Sequence, residues 1–132
     1  MEEDAHAVMI ACTSQGLSAS EGEQQVVGVD HAEIGARLAR QWKLHEDLVD
    51  GIAGHHDLSK CANPNNRKLA AVLSVADYVA YKAGMPAHEK VPIKIGDEMW
   101  VETGLDPEKI APIIEKLIES KGEVDELVNA AA

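Results

Sequence analysis

Apolar residues recur three and four positions apart along most of the chain, and strict alternation of apolar and polar residues is nearly absent, which predicts an all-α fold. Residues 4–15 read as a first helix ended by Gly16, and Ser18 or Ser20 can cap a short acidic helical turn that runs to Val27 and stops at Gly28. Asp30 is placed to cap a helix over 31–43. In that helix Ile34, Leu38 and Trp42 stand four apart as an apolar stripe expected to face the core, while Gly35 and Ala39 permit close helix packing. The next helix, 46–56, turns Leu48, Val49 and Ile52 inward and ends in His55-His56-Asp57. After the loop 62–66, the helix over 67–83 is the most apolar of all. Its Leu69, Val72, Leu73, Ala76, Val79 and Ala80 mark a broad buried face, expected at the centre of the molecule.

Between Gly84 and Gly104 the sequence loosens around Pro86 and Pro92, with one helical turn near 97–101. Asp106-Pro107 is a strong start signal, a cap followed by a first-turn proline. It predicts a helix to residue 120 with Ile110, Ile113, Ile114, Leu117 and Ile118 inward, a small distortion at Pro112 and a stop at Gly122. A last acidic helix from 123 runs into an alanine tail. There is no internal repeat, and the expected architecture is a helical bundle of about six to seven helices forming one domain over 1–132.

Composition narrows this picture. Hydrophobic residues make up 45% of the chain but aromatics only 3%, with no Phe, so the core must be built from Ala, Val, Ile and Leu. Twelve Lys and Arg against 23 Asp and Glu leave a net charge of −11, which argues against nucleic acid and against anionic membrane surfaces as partners. The apolar runs are far shorter than the roughly 20 residues needed to span a bilayer, and Glu2-Glu3-Asp4 has the wrong charge for a signal peptide, so a cytoplasmic protein is expected. Cys12 and Cys61 show no metal or redox spacing and read as isolated thiols.

Six histidines in a small acidic domain are the candidate chemistry, because imidazoles and carboxylates ligate first-row metals and move protons near neutral pH. His6, His45 and His88 fall on expected polar faces or loops and read as surface residues. His31 opens one helix, His55-His56 closes the next, and Asp77 lies midway along the apolar helix, where a buried carboxylate needs a partner. A cation shared with the imidazoles meets that need; so does a polar core network without metal. Spacing alone leaves both open.

The stretch Glu23-Gln24-Gln25-Val26-Val27-Gly28-Val29-Asp30-His31-Ala32-Glu33-Ile34-Gly35, continuing to Trp42, then Ile52-Ala53-Gly54-His55-His56-Asp57, then Ala76-Asp77, resembles the bacterial HDOD domain. That family is an all-helical signalling branch of the HD metal-dependent phosphohydrolase superfamily and is similar to the HD-GYP cyclic-dinucleotide phosphodiesterases. The resemblance implies an HD-domain-like fold and His31, His55, His56 and Asp77 as metal ligands, for a divalent ion such as Fe, Mn or Mg that is expected to be weakly held or absent in this chain. The His-Asp dyad that names the superfamily is missing and is expected upstream of residue 1, so the sequence looks like the carboxy-terminal portion of the family domain. A rival parsing takes His56-Asp57-Leu58-Ser59-Lys60 as the dyad segment, but Ser59 replaces the usual glycine and only 20 residues separate Asp57 from Asp77.

Two functions follow from this resemblance. The first is a regulatory output module without turnover, which transmits signals by contact with other signalling domains or with a copy of itself. The second is a metal-dependent phosphohydrolase acting on a nucleotide or cyclic dinucleotide, for which Lys60, Arg67 and Lys68 are the cations nearest the histidines in sequence. Loss of upstream helices would leave apolar surface uncovered, so homo-oligomerisation or a rearranged amino-terminal helix is also expected.

Overall fold

A computed structural model describes residues 2–85 and 91–131. The described residues form seven α-helices and no strand: α1 (Glu2–Gln15), α2 (Ala19–Val26), α3 (His31–Gln41), α4 (Glu46–Gly54), α5 (Arg67–Lys82), α6 (Asp97–Thr103) and α7 (Ala111–Ala131). Short 3-10 turns at Leu58–Lys60, Pro64–Asn66 and Pro107–Lys109 join them. The helix starts follow local chemistry. Ser18 and Glu21 form a reciprocal capping box on α2, and the Asp30 carboxylate accepts the Glu33 N–H to cap α3. Gly16 and Gly28 both hold positive φ, 65° and 80°, where the chain leaves α1 and α2.

The main packing pairs are α1 with α2, α3 with α4, α4 with α5, and α5 with α6. These contacts run through small residues, and here the structure departs from the expected buried faces. On α3 the buried residues are Ala32, Ala36 and Ala39, while Ile34, Leu38 and Trp42 are 45%, 42% and 69% exposed. On α5 the buried residues are Ala70, Ala71, Ser74 and Val75; Leu69, Val72, Leu73 and Ala76 are exposed, and Val79 and Ala80 half-buried. On α4 Val49 is fully buried, Ile52 is half-buried and Leu48 is exposed. The cause is backbone proximity. A Cβ on Gly35 would lie 3.0 Å from the Ile52 methyl, and one on Gly51 would lie 3.2 Å from the Leu69 side chain and 3.3 Å from that of Leu73. Helices that approach this closely fill their seam with Ala and Gly, and the larger side chains are left at its margins.

The seam makes Gly54 sensitive. A Cβ there would collide with the Cys61 sulfur and lie 3.1 Å from the Ala70 methyl. Gly54→Ala is therefore expected to destabilise the fold by about 1–3 kcal/mol, read as a lower urea midpoint.

At the carboxy-terminal end, Asp106-Pro107 starts only a 3-10 turn, Ile110 is buried, and α7 then continues unbroken through Gly122, which was expected to stop it. Pro112 falls in the first turn, where a proline costs no helical hydrogen bond. Ile114 and Leu117 are half-buried, but Ile113 and Ile118 are 53% and 50% exposed rather than inward. Gly122 has nothing within 4 Å of its Cβ position, so Gly122→Ala should stabilise by about 0.5–1 kcal/mol, seen as a higher thermal midpoint.

One buried acid organises the α4–α5 connection. Asp50, 2% exposed, accepts hydrogen bonds from the backbone N–H groups of Ala62 (3.1 Å) and Asn63 (2.9 Å) and from the Asn66 amide (2.9 Å). Burial pushes its carboxyl upward, but those donors outweigh burial and hold it below its ordinary range.

Candidate metal centre

Helices α3 and α4 pack together as a hairpin of similar lengths, so the first residue of α3 meets the last turn of α4. That brings His31 beside His55 and His56, which are 24 and 25 residues away in sequence. His55 is the C-cap of α4, and His56 follows as the chain turns away, so adjacent side chains fan toward one point.

The geometry is specific. His31 Nε2 lies 3.3 Å from His55 Nε2 and 2.8 Å from His56 Nε2. One ring nitrogen from each of the three lies within 4.8 Å of the others. The opposite ring nitrogens of two of them are held from behind. His31 Nδ1 is 2.7 Å from Glu23 Oε2, which also accepts the His31 backbone N–H at 2.8 Å, and His55 Nδ1 is 2.6 Å from the Ile52 carbonyl. A carboxylate and a carbonyl only accept, so Nδ1 carries a proton in both rings, which leaves Nε2 as the atom able to ligate. When both rings are neutral, the Nε2 atoms of His31 and His55 are two acceptors in repulsion at 3.3 Å unless a proton or a cation lies between them, while His56 can donate to His31 Nε2 at 2.8 Å. A cation relieves that repulsion. An ion held at about 2.0–2.1 Å by each nitrogen spaces its ligands about 2.9–3.4 Å apart, close to the 3.3 Å and 2.8 Å that separate His31 from His55 and His56. The donor set therefore fits a divalent metal, with Glu23 and the Ile52 carbonyl as the outer partners that fix ring orientation.

Burial, reinforced by the neighbouring His55 and His31, lowers the His56 pKa to about 4, so its ring is neutral at pH 7, the form that ligates. Behind the trio lies a buried carboxylate. Asp30, 2% exposed, accepts from the Glu33 N–H (2.9 Å), the Ser20 hydroxyl (2.8 Å) and the Lys60 ammonium (3.3 Å). Burial raises its pKa, and these donors more than reverse that, holding it well below the usual carboxylate range. The network ties α2, the start of α3 and the turn after His56 together, which keeps the three rings in register.

Asp77 differs from expectation. It is exposed, and no hydrogen bond or ion pair engages it among the described residues. It lies seven residues after the buried Ala70 on the same face of α5, but there the face opens into a cavity of about 210 Å³. His31, His56 and Glu23 line that cavity together with Val91, Pro92 and Ile93. Asp77 thus shares a cavity with the imidazoles without joining their convergent group. The desolvation cost that made it a candidate does not apply.

Asp57 is also accounted for. Its carboxylate accepts the Ser59 N–H (2.9 Å) and hydroxyl (2.7 Å), capping the turn Leu58–Lys60, and it stands outside the convergent group. Of the other histidines, His6 is exposed on α1, and His45 caps α4 by accepting the Asp47 N–H at 3.3 Å. His88 lies outside the described residues. Cys12 is buried and Cys61 half-buried, both free thiols. Sequence reasoning missed Glu23 and Asp50. A glutamate eight positions before His31 has no helical or strand periodicity to betray it, because the turn at Gly28 brings it back.

The HDOD domain family model matches residues 1–58, a segment that contains all three convergent histidines and Glu23 but not Asp77. The HDOD resemblance read from the sequence is borne out over that segment. An uncharacterized protein of Treponema pallidum (strain Nichols) is 31% identical over 64 residues, 48% of this chain and 12% of that protein's length. No solved structure matches the chain.

Proposed function

We propose that this HDOD-type chain is a signal-transduction output module whose three convergent imidazoles hold one divalent cation, and that it works by contact with partner domains rather than by turnover. The observation that carries the metal reading is the convergence of three Nε2 atoms, that of His31 lying 3.3 Å from His55 and 2.8 Å from His56, while the Nδ1 atoms of His31 and His55 are engaged from behind. His31, His55 and His56 are the direct ligands, and Asp77 faces the same cavity as the fourth ligand position that the family pattern implies. When bound, such an ion supplies Lewis acidity and a fixed link between α3 and α4. Glu23 holds His31 in the ligating tautomer, and Asp30 with Lys60 holds the turn that carries His56.

The balance against turnover is electrostatic. Phosphoryl chemistry needs cationic side chains on the transferring group. Around this site the cations already have acidic partners: Lys60 pairs with Asp30 at 3.3 Å, Lys94, which lines the cavity, with Glu21 at 3.0 Å, and Arg67 with Glu102 at 3.9 Å, while Lys68 is exposed on α5. Assay of a generic phosphodiester and of a cyclic dinucleotide with manganese or iron is expected to show no hydrolysis above that of the metal alone. Hydrolysis abolished by Asp77→Ala would overturn this reading in favour of a phosphohydrolase.

Removing the outer partner gives a graded test. Glu23→Gln leaves the ligands intact but loosens the His31 tautomer, and is expected to weaken metal binding about 10- to 100-fold by calorimetric titration.

A further inference from the structure

Helices α1 and α2 are tightly joined to each other and loosely joined to the rest of the chain. Cys12, fully buried, closes their seam, and its thiol donates to the Ser18 carbonyl at 3.3 Å. A Cβ on Gly22 would collide with the Cys12 sulfur and lie 3.4 Å from the Val8 carbonyl oxygen, and the Leu17 N–H bonds back to the Cys12 carbonyl at 3.0 Å. The two helices therefore make one stiff hairpin. Outside it the picture changes. The main packing of α1 is on α2, and between α1 and α3 lies a cavity of about 290 Å³, walled by Val8 and Met9 on one side and by Val29 and Ile34 on the other. A void there means apolar contacts that the hairpin does not make with the bundle. Among the described residues, polar bridges from α2 do the holding. The Ser20 hydroxyl donates to Asp30 at 2.8 Å, the Lys94 ammonium to Glu21 at 3.0 Å, and Glu23 accepts the His31 backbone N–H at 2.8 Å and its Nδ1 at 2.7 Å. The Glu21–Lys94 pair is about half exposed on both sides, and such pairs stabilise little. The chain passes from α2 into α3 through Gly28, at φ 80° with open space around its Cβ position.

A unit that is well packed within and sparsely held without opens as one body, at less cost than unfolding the whole chain. We propose that α1–α2 is a hinged arm that lifts from the bundle as a unit about Gly28, and that Glu23 ties its seated position to ligation at His31. The hinged arm stands on packing alone; its tie to His31 rests on the metal reading. A His31 ring that ligates through Nε2 donates more strongly from Nδ1, so ligation tightens the Glu23 contact and seats the arm. By linkage, the seated arm raises the affinity of the imidazole centre by the same factor. An arm whose position follows the state of the centre gives an output module a surface that partner domains can read.

Native-state hydrogen exchange on the chelator-treated chain is expected to show the protected amides of α1 and α2 opening together, at least about 10-fold faster than the slowest amides of α3 to α5. Ser20→Ala with Lys94→Ala cuts two bridges and keeps Glu23. It should speed the α1–α2 amides by a further factor of about 3 to 10 while those of α4 and α5 keep their rates. If the double variant loses helicity, Lys94→Ala alone, at an exposed position, should act in the same direction. Saturating zinc should slow the α1–α2 amides several-fold in wild type and leave them unchanged in Glu23→Ala, with full occupancy of both chains confirmed by metal analysis. Rates in α1 and α2 equal to those in α4 and α5, or bridge variants that speed all helices alike, would overturn the arm. Equal slowing by zinc in Glu23→Ala would overturn its tie to His31. A chain that takes up no zinc defeats the metal reading and that tie with it, while the metal-free comparison still decides the arm.

Discussion

Asp50→Ala is expected to destabilise the chain by about 3–5 kcal/mol, enough to leave it substantially unfolded at 37 °C. The carboxylate is 2% exposed and is the acceptor for two backbone N–H groups and one side-chain amide of the segment that leads into α5. Its removal strands three donors, one of them the side-chain amide of the buried Asn66. Asp50→Asn keeps part of the acceptor capacity and should cost less, about 1–2 kcal/mol. Urea titration of both variants at pH 7 checks the order. The same residue gives a pH dependence of fixed sign. The folded carboxyl binds its proton more weakly than the unfolded one, so the stability it confers is full above about pH 5 and is lost as the pH falls through the folded value. The gap between wild type and Asp50→Asn should therefore narrow on acidification. A gap that widened would mean that the hydrogen bonds are not made to the ionised form.

The second large effect is the coupling of metal to folding. If the imidazoles bind an ion in the folded chain only, free metal at 100 times its dissociation constant stabilises by about 2.7 kcal/mol. A chelator should remove this increment from wild type. His31→Ala should show no increment, because it deletes the ring whose Nε2 lies within 3.3 Å of both the others. Thermal midpoints with and without manganese, in wild type and variant, make the comparison. Equal midpoint shifts in both would place the ion elsewhere on this acidic surface.

Much of the fold was legible because helix ends are local events. Asp30, Ser18, Gly16 and Gly28 act through their own backbone and nearest neighbours, and α1 to α5 begin and end within two residues or so of where these signals put them. Which face each helix buries is a property of its partner, and there periodicity misled. On α3 two apolar stripes compete, one of Ile34, Leu38 and Trp42 and one of Ala32, Ala36 and Ala39, and hydrophobicity favours the first while close packing selects the second. Gly35 and Ala39, noted for allowing close approach, were the better guide. Gly122 shows the converse: as a helix stop it is a weak prior, and α7 runs through it unbroken.

The candidate site was legible in part for a related reason. Three histidines at a helix start and a helix end are recognisable as termini that can meet, and they meet. The rule that a buried acid needs partners holds at Asp50, which has three donors around it, and not at Asp77, which opens onto a cavity. Asp50 stands between Val49 and Gly51 on a helix with Asn63 and Asn66 shortly after, and that combination was the available signal. Glu23 offered none, since its approach to His31 depends on the reversal at Gly28.

Titration with cobalt under anaerobic conditions tests the central claim most directly, because the ion's visible absorption reports ligand type as well as number. The account predicts saturation at one ion per chain, a spectrum typical of several nitrogen ligands, and loss of that spectrum in His55→Ala while circular dichroism is unchanged. A wild-type chain that develops no such absorption, or a His55→Ala variant that develops the same one, would contradict it.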